Sequence, residues 1–205
     1  MNALMCDPKV LTTPQSMARR LIWFVAACSA VLTTTQAHAI YHLWNIREIY
    51  TDNTGNLQFI EFFSSSSSQQ YVGGQAISVA NLAGTLTHSF SIPANLPGDT
   101  LNHAFLIGTD GIHGAGGPSP DYIMPAGFLF SGGGMISFFG QNSGAYQALR
   151  TDGVLSRNWG DGDAVNSPQN FAGQSGVVAV PEPGSLAFLG VSAIGLCFWL
   201  RWRSR

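Results

Sequence analysis

The chain has 205 residues, a formal net charge of −2, and only 10% charged side chains. Residues 1–39 carry three basic and one acidic side chain, residues 40–180 three and nine, and residues 181–205 three and one. Two basic, apolar ends around an acidic middle argue against a nucleic-acid partner, because Arg47, Arg150 and Arg157 are the only Lys or Arg cations between residues 40 and 180.

Arg19 and Arg20 precede an uncharged run from Leu21 to Leu32, and Ala37-His38-Ala39 then puts small residues one and three positions before Ile40. This layout predicts a signal peptide over residues 1–39, cleaved after Ala39 with Ala37 as its second small residue. A dozen apolar residues are too few to span about 30 Å of hydrocarbon as a helix. Met17 is an alternative start that gives a signal of ordinary length. Val25-Ala26-Ala27-Cys28 offers a rival reading as a lipoprotein acylation box on Cys28. Arg19-Arg20 resembles a twin-arginine signal, without the rest of that pattern.

Residues 40–173 read as one all-β domain. Expected strands are Trp44 to Tyr50, Leu57 to Phe63, Gln75 to Ala80, Thr85 to Ile92, Leu101 to Gly108, Gly127 to Phe130, Met135 to Phe139 and Ala145 to Leu149. Leu86, His88, Phe90 and Ile92 share one face, as do His103, Phe105 and Ile107. Asp52 to Asn56, Pro97-Gly98-Asp99 and Asp152-Gly153 carry turn chemistry. Eight short strands around a common core predict a β-sandwich. Cys6, Cys28 and Cys197 all lie in the end segments. The core must therefore stand on ordinary apolar packing, with Trp44 and Trp159 among its suppliers. Ser64 to Gln70 and Asp110 to Pro120 read as surface loops, and residues 174–180 as a linker.

Ile46-Arg47-Glu48-Ile49, Phe59-Ile60-Glu61-Phe62-Phe63, Val72-Gly73-Gly74, Phe90-Ser91-Ile92-Pro93, Leu96-Pro97-Gly98 and Phe105-Leu106-Ile107 follow one another in an order that resembles the lamin-tail domain. The resemblance covers residues 44–108 and implies an immunoglobulin-like sandwich serving as a binding or scaffold module. It departs from that family at Ser64, where asparagine is usual, and lacks its tryptophan after the glycine turn. It carries over no catalytic residue.

Constellations for chemistry are sparse. No lysine or cysteine nucleophile occurs in residues 40–180, nor a Gly-x-Ser-x-Gly elbow, a phosphate loop or a His-Glu-x-x-His helix. His42, His88, His103 and His113 do not lie at ligand spacing. Glu48 and Glu61 fall on neighbouring strands, and a hydrolase would need two close carboxylates in a cleft among them, Asp110 and Asp121. Asp161-Gly162-Asp163 alternates carboxylates through a glycine turn, as calcium loops do, but the next oxygen ligand is missing and Pro168 intervenes; a plain turn is the simpler reading. Tyr71, Tyr122 and Tyr146, in or beside expected loops, are candidates for exposed aromatics or for the core. No cofactor and no enzymatic activity are expected.

Val180-Pro181-Glu182-Pro183-Gly184 opens the last segment. An uncharged stretch from Ser185 to Leu200 follows, then Arg201-Trp202-Arg203-Ser204-Arg205. Gly184 to Leu200 is just long enough for a transmembrane helix. The prolines bar its upstream continuation, and Arg201, Arg203 and Arg205 favour a cytoplasmic end. Residues 181–205, with Pro181, Glu182 and Pro183 as the diagnostic triplet, resemble the PEP-CTERM sorting signal of Gram-negative bacteria. That resemblance implies recognition by an exosortase, a membrane-embedded cysteine protease or transpeptidase. It also implies passage through the inner membrane, a transient anchor there, and delivery to the cell surface or exopolysaccharide matrix. The expected protein is thus a non-catalytic binding or structural module; an extracellular carbohydrate-active hydrolase and a lipoprotein adhesin acylated on Cys28 are the alternatives.

Overall fold

The computed structural model describes residues 41–139 and 142–180. The signal-peptide residues Ala37 and Ala39, Cys28, the triplet Pro181, Glu182 and Pro183, the apolar span and Arg201, Arg203 and Arg205 lie outside the described residues.

Ten strands form among the described residues: β1 (Asn45–Thr51), β2 (Gln58–Ser64), β3 (Ala76–Asn81), β4 (Thr87–Ser91), β5 (His103–Gly108), β6 (Tyr122–Ile123), β7 (Gly134–Phe138), β8 (Asn142–Tyr146), β9 (Leu155–Asn158) and β10 (Gly162–Val165). One sheet runs β10-β9-β1-β2-β5-β6 and the other β4-β3-β7-β8. All pairings are antiparallel except the short one of β5 with β6. Two sheets of six and four strands are consistent with the expected β-sandwich.

Alternation builds the core between the sheets. Ile60 and Phe62 of β2 point inward, as do Phe105 and Ile107 of β5 and, from the other sheet, Ile77, Val79, Ile136 and Phe138. The Phe62 ring stacks on Phe105 with centroids 4.9 Å apart and meets Phe138 edge-on at 5.2 Å, joining the two sheets directly. Trp44 is fully buried beside Phe105, and its indole N–H donates to the Gln69 carbonyl at 3.0 Å.

β1 breaks the simple pattern, and the break positions the site described below. Ile46 and Ile49 are both buried in the central core although they are three residues apart. A bulge permits this: Ile46 opposes Phe62 while Glu48 opposes Glu61, leaving Arg47 as the extra residue. The bulge turns Glu48 to the outer face, beside Glu61.

Three expectations need correcting. Gly127 to Phe130 is no strand: Gly127 has φ +72°, and the backbone N–H and C=O of Leu129 bond to the Gln58 side-chain amide instead of a neighbouring strand. Ser64 closes β2, and Ser65 to Gln70 is a pinned rather than a flexible loop, because the Gln69 N–H donates to Thr100 Oγ1, the Ser68 N–H donates to Asp99 Oδ1, and Gln69 is buried. Residues 174–180 do not form a free linker. The Ala179 N–H donates to the Ala115 carbonyl, the Val180 N–H to that of Gly153, and Val178 is fully buried.

Candidate functional site

Glu48 and Glu61 are brought together as the sequence suggests, but they are sealed. They are register partners across β1 and β2 and are 1% and 0% exposed. Ser156 Oγ and the Ser167 N–H both donate to Glu48 Oε1. Arg47, displaced by the bulge, sets its Nη1 3.2 Å from Glu61 Oε1 while its guanidinium lies over the Phe63 ring. Neither Glu61 oxygen has a hydrogen bond of regular geometry. Burial pushes the Glu61 carboxyl up to about 8, Arg47 opposes the rise, and Glu48 reinforces it. The Glu61 carboxyl, out of contact with water, holds a proton more readily than it binds a substrate.

What lies against them is the chain after β10: the Ser167 N–H bonds Glu48, the Gln169 backbone faces Glu61, and the Phe171 N–H reaches Asp121. Beneath it lies a second apolar cluster of Tyr50, Phe59, Leu106, Ile112 and Val178. Asp121, another residue of the hydrolase reading, is spent on the same structure: its Oδ2 accepts the N–H groups of Leu106 and Phe171 at 2.8 and 2.9 Å. Burial raises its pKa, and those two amides oppose the rise. Asp110 stands exposed on a single 3-10 turn. The four carboxylates therefore line no common cleft.

The open surface lies elsewhere, around Trp159. The β9–β10 hairpin carries this half-buried indole against β8, where it lies so close to Gly144 that a Cβ there would fall 2.3 Å from Trp159 Cζ2. A shallow depression of about 460 Å³ flanks it, lined by Gln147, Arg157 and Asn158. A second, of about 330 Å³, shares Asn158 and Trp159 and adds Asn45, Arg47 and Asp161. Trp159 packs against the central core, as its apolar character suggests, while its exposed side is not legible in the sequence because nothing local marks the hairpin that presents it.

Of the tyrosines named as candidates for exposure, Tyr71 is 38% exposed, whereas Tyr122 and Tyr146 are 8% and 3%. The Tyr122 hydroxyl donates to the Ala94 carbonyl, and that of Tyr146 accepts the Phe130 N–H. Both are core residues with satisfied tips. Asp161 sits in the β9–β10 turn and Asp163 on β10, where it pairs with its cross-strand partner Arg157. His88 stacks on Phe130, and its Nδ1 lies 2.9 Å from the Phe128 carbonyl. Among the described residues no group of three or more His, Cys, Asp or Glu side chains converges as metal ligands would. Among the same residues no helix is long and apolar enough to cross a membrane.

No curated protein and no solved structure matches the chain. Residues 179–204 match the family model of the PEP-CTERM protein-sorting motif. The chain thus carries that motif at its C-terminus, and the motif implies an exported protein processed by an exosortase at the membrane.

Proposed function

We propose that the sorted domain is a non-catalytic module that binds glycan at the cell surface or in the exopolysaccharide matrix. The observation that carries the reading is the Trp159 surface: an aromatic flanked by two shallow depressions whose walls hold amide and guanidinium groups. A sugar ring offers an apolar C–H face for stacking on an indole and a rim of hydroxyls for planar side-chain donors and acceptors, so wide, shallow, mixed surfaces suit it better than deep apolar pockets. Against hydrolysis stands the burial of Glu48 and Glu61, the one carboxylate pair on adjacent strands among the described residues. The order of sequence segments over residues 44–108, which resembles that of the lamin-tail domain, is in keeping with a scaffold role.

The test is to incubate the domain with polysaccharide from the producing organism and to measure both retention and polymer length. Retention with unchanged length is expected. Shortening of the polymer would establish the hydrolase instead.

A further inference from the structure

The sorting motif begins where the folded domain still holds the chain. Ala179 and Val180, the first two residues of the matched segment, donate their N–H groups to the Ala115 and Gly153 carbonyls at 3.0 and 3.3 Å. One residue earlier, Val178 is fully buried, and the fully buried Asn166 side chain clasps it: the Val178 N–H donates to Asn166 Oδ1 and Asn166 Nδ2 donates to the Val178 carbonyl, both at 2.7 Å. No slack separates this clasp from Pro181.

The hold is concentrated rather than spread. Ser175, Val177 and Ala179 are exposed, so Val178 is the one side chain of residues 175–180 that is fully inserted. The rest is backbone on backbone: a Cβ on Gly176 would lie 2.3 Å from the Gly116 carbonyl oxygen, and one on Gly117 would lie 2.9 Å from Val178 Cγ2. The glycines of the 110–120 loop therefore form a bed for this strap. A terminal segment fixed by one side chain and a few hydrogen bonds opens at much lower cost than the sheets do. An enzyme that reads an extended segment by its main chain needs that segment's backbone groups unpaired.

We propose that residues 175–180 are an autoinhibitory strap, and that release of Val178 from Asn166 is the step that admits the sorting motif to the exosortase. This rests on the sorting role of the motif. When opening and closing are fast relative to cleavage, the processing rate follows the open population, so the clasp sets that rate.

The experiment is a pulse-chase of the full chain in cells that make the exosortase, following conversion of precursor to processed form. Asn166→Ala removes both clasp bonds and should speed conversion about tenfold. Gly176→Val, which drives the strap off Gly116 without touching Asn166, should also accelerate it. Ala115→Cys/Ala179→Cys, made together with Cys197→Ser, should slow conversion when oxidised and recover with reductant; residues 40–180 contain no other cysteine. Wild-type rates in Asn166→Ala and Gly176→Val, or in the disulfide-locked form, would overturn the strap. Should Asn166→Ala fail to fold, the other two variants still decide. Alanines at Pro181, Glu182 and Pro183 must block conversion in every background; normal processing of that triple variant would bring down the sorting role itself, a different failure from an idle strap.

Discussion

Glu48 and Glu61 oppose one another across β1 and β2 because a single bulged residue, Arg47, turns them to the same face and then sets its own guanidinium 3.2 Å from Glu61. An acidic pair buried this way makes stability depend on pH. The Glu61 carboxyl titrates at about 8 in the folded domain against 4.5 when unperturbed, so the folded state binds the extra proton between those values. Its contribution is fully present below about pH 4.5 and is lost as pH rises through about 8. Chemical denaturation of residues 40–180 should therefore show stability falling across that window, and Glu61→Gln should flatten the fall. An unchanged pH profile in Glu61→Gln would contradict the assignment.

The central core makes a simpler demand. Phe62 bridges the two sheets through Phe105 and Phe138, and Phe62→Ala should cost about 3–5 kcal/mol in equilibrium unfolding. A cost under about 1 kcal/mol would mean that the sheets do not share that core.

Much of this architecture is legible in the sequence, and the gaps have physical causes. The apolar run Phe59-Ile60-Glu61-Phe62-Phe63 places β2, but not which of its residues face the central core, because both of its faces are buried. The Ile46 to Ile49 spacing does not alternate, because the bulge that rescues it depends on pairing with β2. Nothing local marks β9 and β10: each has four residues, and glycines at 160 and 162, with φ of +95° and +90°, read as loop. The apolar run at Gly127 to Phe130 imitates a strand, since no local signal announces that Gln58, 71 residues from Leu129, will satisfy its backbone. The strap at 175–180 reads as linker for a similar reason: its one deeply inserted side chain, Val178, is held by a distant asparagine. The sorting motif is local in sequence and legible there, although the matched segment, residues 179–204, starts two residues before the expected boundary at Pro181.

Calcium should leave the melting temperature of the domain unchanged, because Asp163 is already paired with Arg157 and no third ligand group joins it among the described residues. Thermal melts with calcium and with chelator check this. A rise of several degrees that Asp161→Ala/Asp163→Ala abolishes would convert the turn into a site.

Gly144 supports the Trp159 surface by having no side chain. Gly144→Ala should push the indole from its seat and weaken glycan retention several-fold, with the melting temperature falling by a few degrees. Affinity electrophoresis and a thermal melt measure the two effects. Undiminished retention would place the binding surface away from Trp159.

The most direct test compares wild type, Trp159→Ala and Glu61→Gln on one immobilised polysaccharide from the producing organism, reading retention and polymer length together. Wild type and Glu61→Gln should be retained alike, Trp159→Ala should elute early, and polymer length should stay constant throughout. Polymer shortening by wild type that Glu61→Gln abolishes would contradict the binding-module account and establish a hydrolase.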